Sequence, residues 1–188
     1  MSRVMTVYIV LGVLAVGAIW LFNSAVRLRN RAREAFSGVD VQLKRRHDLV
    51  PNLVRTVGAY ARHEREALEE VTRLCGAAEA ATVIPDRERS ERGLGLGLDR
   101  LLALVESYPD LKADANFRRL QDDLVEVEDH LQYARRYYNG AVRDFNTRVE
   151  QFPASILAAL CRWRPLEFFQ LAEAEERVAP RINGRGLA

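Results

Sequence analysis

Lysine is almost missing from this chain: Lys44 and Lys112 stand alone within a combined lysine and arginine count of 28. That preference for arginine reads as coding bias before chemistry. Net charge is equally scarce, because 26 acidic residues leave a formal balance of +2, too little to predict nucleic acid as a partner. Cysteine is limited to Cys75 and Cys161. Neither lies in a CxxC or beside a histidine, which excludes a disulfide framework and a zinc knot. Both are expected as buried or half-buried free thiols in a reducing compartment.

Chemistry-bearing patterns are sparse too. The three histidines, His47, His63 and His130, form no HExxH. Glu126 precedes His130 by four residues, so the Glu-x-x-His pairs of di-iron bundles are missing. Ser155 and the two cysteines have no activating neighbour in sequence, and Ser155 after Pro153 is expected to cap a helix. A metal-dependent or hydrolytic enzyme with its site inside a helical bundle is therefore the alternative reading, and the leading one has no enzyme activity, metal or cofactor. The run GLGLGLD (Gly93 to Asp99) follows no strand and precedes no lysine, which excludes a phosphate loop. It predicts small residues that let helices approach closely. Strand-like alternation is absent throughout.

What the chain does have is one long apolar run and a helical rhythm behind it. From Val4 to Phe22 (VMTVYIVLGVLAVGAIWLF) no charge interrupts the sequence, long enough for a bilayer core of about 30 Å. Tyr8 and Trp20 near its ends suit interfacial anchoring. A cleaved signal peptide fits less well, since the basic flank before the run is only Arg3 and the run exceeds a usual h-region. Arg27, Arg29, Arg31 and Arg33 follow it. By the positive-inside rule they predict the N-terminus outside and the bulk of the chain cytoplasmic, and they suit anionic headgroups. The expected organisation is an anchor over residues 1–26, a cytoplasmic bundle over 27–178 and an unstructured tail over 179–188.

Behind the anchor, Phe36, Val39, Leu43, Val50, Leu53, Val57, Tyr60, Ala67, Val71, Leu74 and Ala78 keep three-four spacing, broken only by Arg46 and Glu64. Phase is retained across Pro51, so one long kinked helix is predicted there. A second helix carries Leu94, Leu98, Leu101, Val105 and Tyr108. After a break capped at Pro109-Asp110, a third carries Phe117, Leu120, Leu124, Val127, Leu131, Ala134, Tyr138, Ala141 and Phe145, with Phe152 one heptad further, and Pro153 stops it. Shorter closing helices are expected over 155–160 and 166–177. The fold class is all-α: a transmembrane helix followed by an antiparallel bundle of long helices. The first helix exceeds its partners in length, leaving its membrane-proximal half unpartnered, which predicts a homo-oligomer.

Two polar stripes remain. Asn139, Arg143 and Asn146 share one face beside the third seam, and Asp48, Asn52 and Arg55 repeat that spacing next to Pro51. They are the candidate recognition or register residues, able to satisfy each other or a ligand. Register fixing is the reading preferred, and Arg143→Ala is expected to destabilise the bundle.

The segment YNGAVRDFNTRVEQFP (Tyr138 to Pro153) resembles the hallmark of the LemA family of bacterial membrane-anchored helical proteins. LKRRHDLVPNLVRTVGAYARHERE (Leu43 to Glu66), LLALVESYPDLKADANFRRLQ (Leu101 to Gln121) and PLEFFQLAEAEERVAP (Pro165 to Pro180) are similar to it as well. The closing INGRGLA departs from the family's hydrophobic ending. The resemblance implies a membrane helix followed by a cytoplasmic helical bundle, with no activity established for the family as a whole and relatives tied to magnetosome membranes and membrane-bound proteases. With the bilayer as one partner, the role expected is a scaffold or adaptor for another membrane protein in envelope processes.

Overall fold

The computed structural model describes residues 2–169. Its first helix, α1 (Ser2–Tyr60), is continuous for 59 residues, about 89 Å at 1.5 Å per residue. Two chemically different halves share it. Nearly every side chain from Val4 to Trp20 is exposed, and that stretch is long and apolar enough to cross a membrane. From Ser24 onward one stripe is buried, running through Ala25, Ala32, Ala35, Val39, Leu43, Val50, Leu53 and Val57.

Helix α1 passes through Pro51 unbroken. Proline has no N–H to give the carbonyl four residues back. The His47 carbonyl freed in this way receives the Cys75 thiol at 3.9 Å. The predicted single helix to Ala78 is nevertheless wrong, because the chain turns at 61–64 and α2 (Arg65–Ala80) folds back along α1. Three of those corner positions are Arg62, His63 and Glu64, so one of the two breaks in the apolar ladder marked the turn. The corner kept the heptad phase by leaving Ala61 buried, which disguised it in sequence.

Helix α3 (Ile84–Val105) returns parallel to α1, packing Leu94, Leu98, Leu101 and Val105 inward. The glycine run works as the spacing predicts. Leu74 of α2 sits in the notch, so a Cβ at Gly97 would lie 2.7 Å from its Cδ1. A single turn, α4 (Pro109–Ala113), leads to α5 (Ala115–Glu150). The cap of α5 is Asp114 rather than Pro109-Asp110, its carboxylate accepting the Phe117 N–H at 2.8 Å. That bond and one from the Tyr60 hydroxyl at 3.0 Å hold Asp114 below the ordinary carboxylate range. Tyr108 donates to Glu64 at 3.2 Å, so both corners at this end of the bundle are tied.

Helix α5 runs antiparallel to α1 along its buried stripe and fills the half expected to lack a partner. Arg45 meets Glu126 near the middle, and Arg148 lies over the Trp20 ring near the apolar run. The excess length of α1 falls on its first twenty or so residues instead. Phe152 is not a further seam residue, since α5 ends at Glu150 and Phe152 is 81% exposed. Helix α6 (Ala154–Leu160) follows Pro153 without a side-chain cap, so Ser155 does not serve as one. Arg162, at φ 53°, turns the chain out of α6, and 163–169 run without helix. The helix predicted from Leu166 is therefore absent over 166–169, and its remainder and the predicted tail lie outside the described residues.

The two thiols differ, which corrects the expectation that both are at least half-buried: Cys75 is buried and Cys161 exposed. Burial pushes the Cys75 thiol up to about 11, with Glu79 and Glu91 adding to the effect. At neutral pH about one part in ten thousand would then be thiolate. In the folded, detergent-solubilised chain, Cys161 should take up a maleimide promptly and Cys75 at least about a hundredfold more slowly. Peptide-level mass spectrometry over a time course checks this.

Candidate functional site

The stripe on α5 contains the sharpest geometry in the molecule. Asn146 is buried and Asn139 half-buried. Each amide grips one residue of the returning segment by both backbone groups. Asn146 Nδ2 donates to the Leu166 carbonyl at 2.9 Å, and the Leu166 N–H donates to Oδ1 at 2.8 Å. Asn139 does the same to Phe169, at 2.7 and 2.8 Å. Between them the Tyr138 hydroxyl donates to the Glu167 carbonyl at 2.8 Å. Burial raises the Tyr138 phenol, with Glu167 adding to it, so it stays a donor.

The spacing explains why two asparagines suffice. Seven residues of helix rise about 10.5 Å, and three residues of extended chain span about 10 Å. Residues 139 and 146 thus fall opposite 169 and 166. An extended segment carries backbone donors and acceptors that no sheet or helix satisfies, and carboxamides are the side chains that offer one of each. Leu166 and Phe169 then add their side chains to the apolar cluster of Ala32, Val39, Leu131 and Tyr138.

Arg143 takes no part in this. It is exposed and makes no hydrogen bond or ion pair with any described residue. The second stripe does not meet the first either. Asp48, Asn52 and Arg55 are all exposed, and among the described residues the Asn52 amide reaches only the Asp48 carbonyl of its own helix, at 3.4 Å. Of the arginines after the apolar run, Arg27, Arg31 and Arg33 are exposed and Arg29 half-buried. Arg31 lies over the Tyr137 ring, 5.7 Å from its centre.

A second constellation sits at mid-bundle, where the lower apolar core around Leu53 and Leu101 gives way to the upper one around Val39 and Leu131. Glu91 of α3 is 2% exposed. Its carboxylate accepts from His47 Nε2 at 2.6 Å and from Arg46 at 3.3 Å. Arg46 also reaches Glu128 of α5 at 3.6 Å. Arg46 forms part of a cleft of about 190 Å³ between α3 and α5, with Gly95, Asp99, Glu128, Arg135 and Phe169 around it. The Arg135 guanidinium lies over the Phe169 ring at 5.0 Å, and burial lowers its pKa against the pull of Glu128.

Sequence reasoning overlooked this layer, though the signal was present. Arg46 is one of the two breaks in the apolar ladder, and Glu91 stands three before Leu94 on the α3 seam. Two polar residues at seam positions of facing helices are a pair waiting to meet. Glu91 has both oxygens occupied, and the nearby Cys75 thiol is buried and kept protonated by that burial. Among the described residues no group of three or more His, Cys, Asp or Glu is arranged to hold a metal ion.

Known proteins share this sequence at modest identity. Magnetosome protein MamQ 2 of Paramagnetospirillum magneticum is 26% identical over 175 residues, covering 79% of this chain and 64% of that protein. The chain therefore spans just under two-thirds of that relative's length. Magnetosome protein MamQ of Magnetospirillum gryphiswaldense is 28% identical over 80 residues, covering 43% of this chain and 29% of its own. Protein LemA of Metamycoplasma hominis is 24% identical over 157 residues, covering 81% and 70%. The family model described as LemA matches residues 35–183, a span that includes the buried charge layer, the asparagine clamp and the segment it holds, and the chain belongs to the LemA family.

Proposed function

We propose that this protein is a single-pass membrane-anchored scaffold, N-terminus outside, whose cytoplasmic bundle offers the cleft between α3 and α5 to another membrane protein. The observation that supports this most is the division of α1. Its apolar run is bare from Val4 to Trp20, while the same helix from Ser24 on is the spine of a filled bundle. An apolar surface of that length has no stable place in water. Arginines at 27, 29, 31 and 33 favour retention of the bundle side in the cytoplasm. Helices α3 and α5 are not packed directly on each other and leave a cleft between them. The cleft between them continues from the charged part down to Leu98, Leu102, Leu124 and Val125, so it can receive a segment with one polar and one apolar end. The magnetosome names of the relatives fit a role at a membrane.

Sidedness is the first test. In a chain with Cys75→Ala and Cys161→Ala, a cysteine at Gly186 should react with an impermeant maleimide only after cells are permeabilised. Labelling in intact cells would reverse the topology and move the partner search to the outer face. A photo-cross-linking residue at Leu96 in the cleft should then yield a discrete adduct that the same residue at Arg73, away from it, does not.

A further inference from the structure

Helix α6 is built inside out. Its small residues, Ala154 and Ala158, are buried, and Ala158 packs with Phe145, Val149, Leu28 and Trp163. Two of its three large ones point away: Ile156 is 62% and Leu160 80% exposed, while Leu157 is half-buried. Ile156 and Leu160 fall four residues apart on one face of α6, and Phe152, two residues before the helix begins, is 81% exposed. A helix that belonged to the water-facing surface would reverse that choice, because large apolar side chains gain most from burial. Scattered exposed leucines are ordinary, but a contiguous apolar face calls for something to cover it.

Position tells what covers it. Trp163, just after α6, stacks on Phe22 with ring centres 5.2 Å apart and 29° between planes. Phe22 is the last residue of the apolar run. Leu28, which α6 packs against, lies six residues further, about 9 Å along the helix axis. The polar zone of a bilayer extends about 5–7 Å beyond each side of its hydrocarbon core, so the Trp163 end of α6, with Leu160, falls in that zone. Its charges suit the location. Arg162 and Arg164 follow α6, and Arg27 and Arg148 come from α1 and α5, against Glu150 and Glu167 as nearby acids. Arg148 itself lies over Trp20 at 5.8 Å.

We propose that α6 is a second membrane contact: Phe152, Ile156 and Leu160 dip into the acyl boundary beside the spanning helix, while the flanking arginines meet anionic phosphates. This rests on the spanning role of α1 proposed above. The consequence is geometric, since two contacts fix the tilt of the bundle against the membrane, where one helix would leave it free to swing.

Cys161 next to Leu160 is exposed and provides the probe. The full chain, with Cys75→Ala, is labelled there with an environment-sensitive dye. It is reconstituted in phosphatidylcholine–phosphatidylglycerol vesicles carrying lipids brominated at shallow or deep positions. Parallel samples, with Cys161→Ala added, carry the dye at Val13→Cys in the apolar run and at Ser107→Cys in the far corner. The expected result is strong quenching at 161 by shallow bromines, at 13 by deep ones, and none at 107. Ile156→Asp with Leu160→Asp should cut quenching at 161 severalfold, with helix content and quenching at 13 unchanged. Water-like emission at 161 with 13 still quenched overturns the second contact and leaves the span intact. No quenching at either position overturns the span itself. Apolar emission at 161 without bromine quenching means a second copy covers the face, and also refutes the proposal.

Discussion

Replacing Glu91 by alanine should cost about 3–5 kcal/mol of bundle stability, the range for removing one partner of a buried ion pair. The reason is what remains behind. Glu91 accepts from both His47 and Arg46, so its loss strands two donors in the interior. Among the described residues Arg46 then keeps only Glu128, 3.6 Å away and itself 41% exposed along the side chain. Against a typical total of about 5–15 kcal/mol for a domain, such a loss is large. Urea unfolding of the detergent-solubilised chain, followed by circular dichroism, measures it. The companion variant carries Arg46→Met, His47→Leu and Glu91→Met together, and should recover most of the loss because no uncompensated charge is left. If Glu91→Ala costs under about 1 kcal/mol, water or rearrangement relieves the layer and the account of it fails. The layer sits between two apolar cores, and a polar layer in such a place fixes helix register. A slipped register would bury Glu91 opposite a leucine.

The asparagine clamp gives the second large effect. Asn146→Ala removes two hydrogen bonds and leaves the Leu166 N–H and carbonyl without partners, an expected cost of about 2–3 kcal/mol. Much of that cost appears as local release, since the segment can peel away while the bundle stays folded. Arg162 lies at its start, followed by Trp163, so limited trypsin digestion should cut after it many times faster in Asn146→Ala, and faster still with Asn139→Ala added. Asn146→Asp should resemble the alanine variant, because a carboxylate can accept the Leu166 N–H but cannot donate to its carbonyl. Arg143→Ala is the control. With no bond to lose among the described residues, it should stay within about 0.5 kcal/mol of the parent, reversing the sequence-based expectation that it destabilises the bundle. Equal trypsin rates in Asn146→Ala and the parent would show that apolar contacts of Leu166 and Phe169 hold the segment without the amides.

The seams were the most legible part of the fold. Val39, Leu53, Leu101, Val127, Leu131 and Phe145 are buried where three-four spacing put them, because helix periodicity is a local property that each segment displays unaided. The turn at 61–64 was not legible, since a short corner preserved the phase that a turn normally breaks. The α5 stripe was visible as spacing, but its meaning was not. Asn139 and Asn146 act on backbone twenty to thirty residues later, and a backbone carries no signature in its side chains. Helix α6 was legible as a closing helix but its facing was not: Ala154, Ile156, Ala158 and Leu160 are all apolar, so composition could not say which pair faced in.

The sequence by itself determined the helical class, the apolar run, the positive flank and the family, all of which depend on residues near one another along the chain. Only the tertiary structure decided that Glu91 meets Arg46 and His47, that two amides hold a returning segment, and that α6 turns Ile156 and Leu160 outward. Those outcomes depend on which faces meet after the chain has turned at 61–64, at 81–83 and again at 106–114. Small changes in a corner redirect every residue beyond it, which is why periodicity along one helix cannot specify its neighbour.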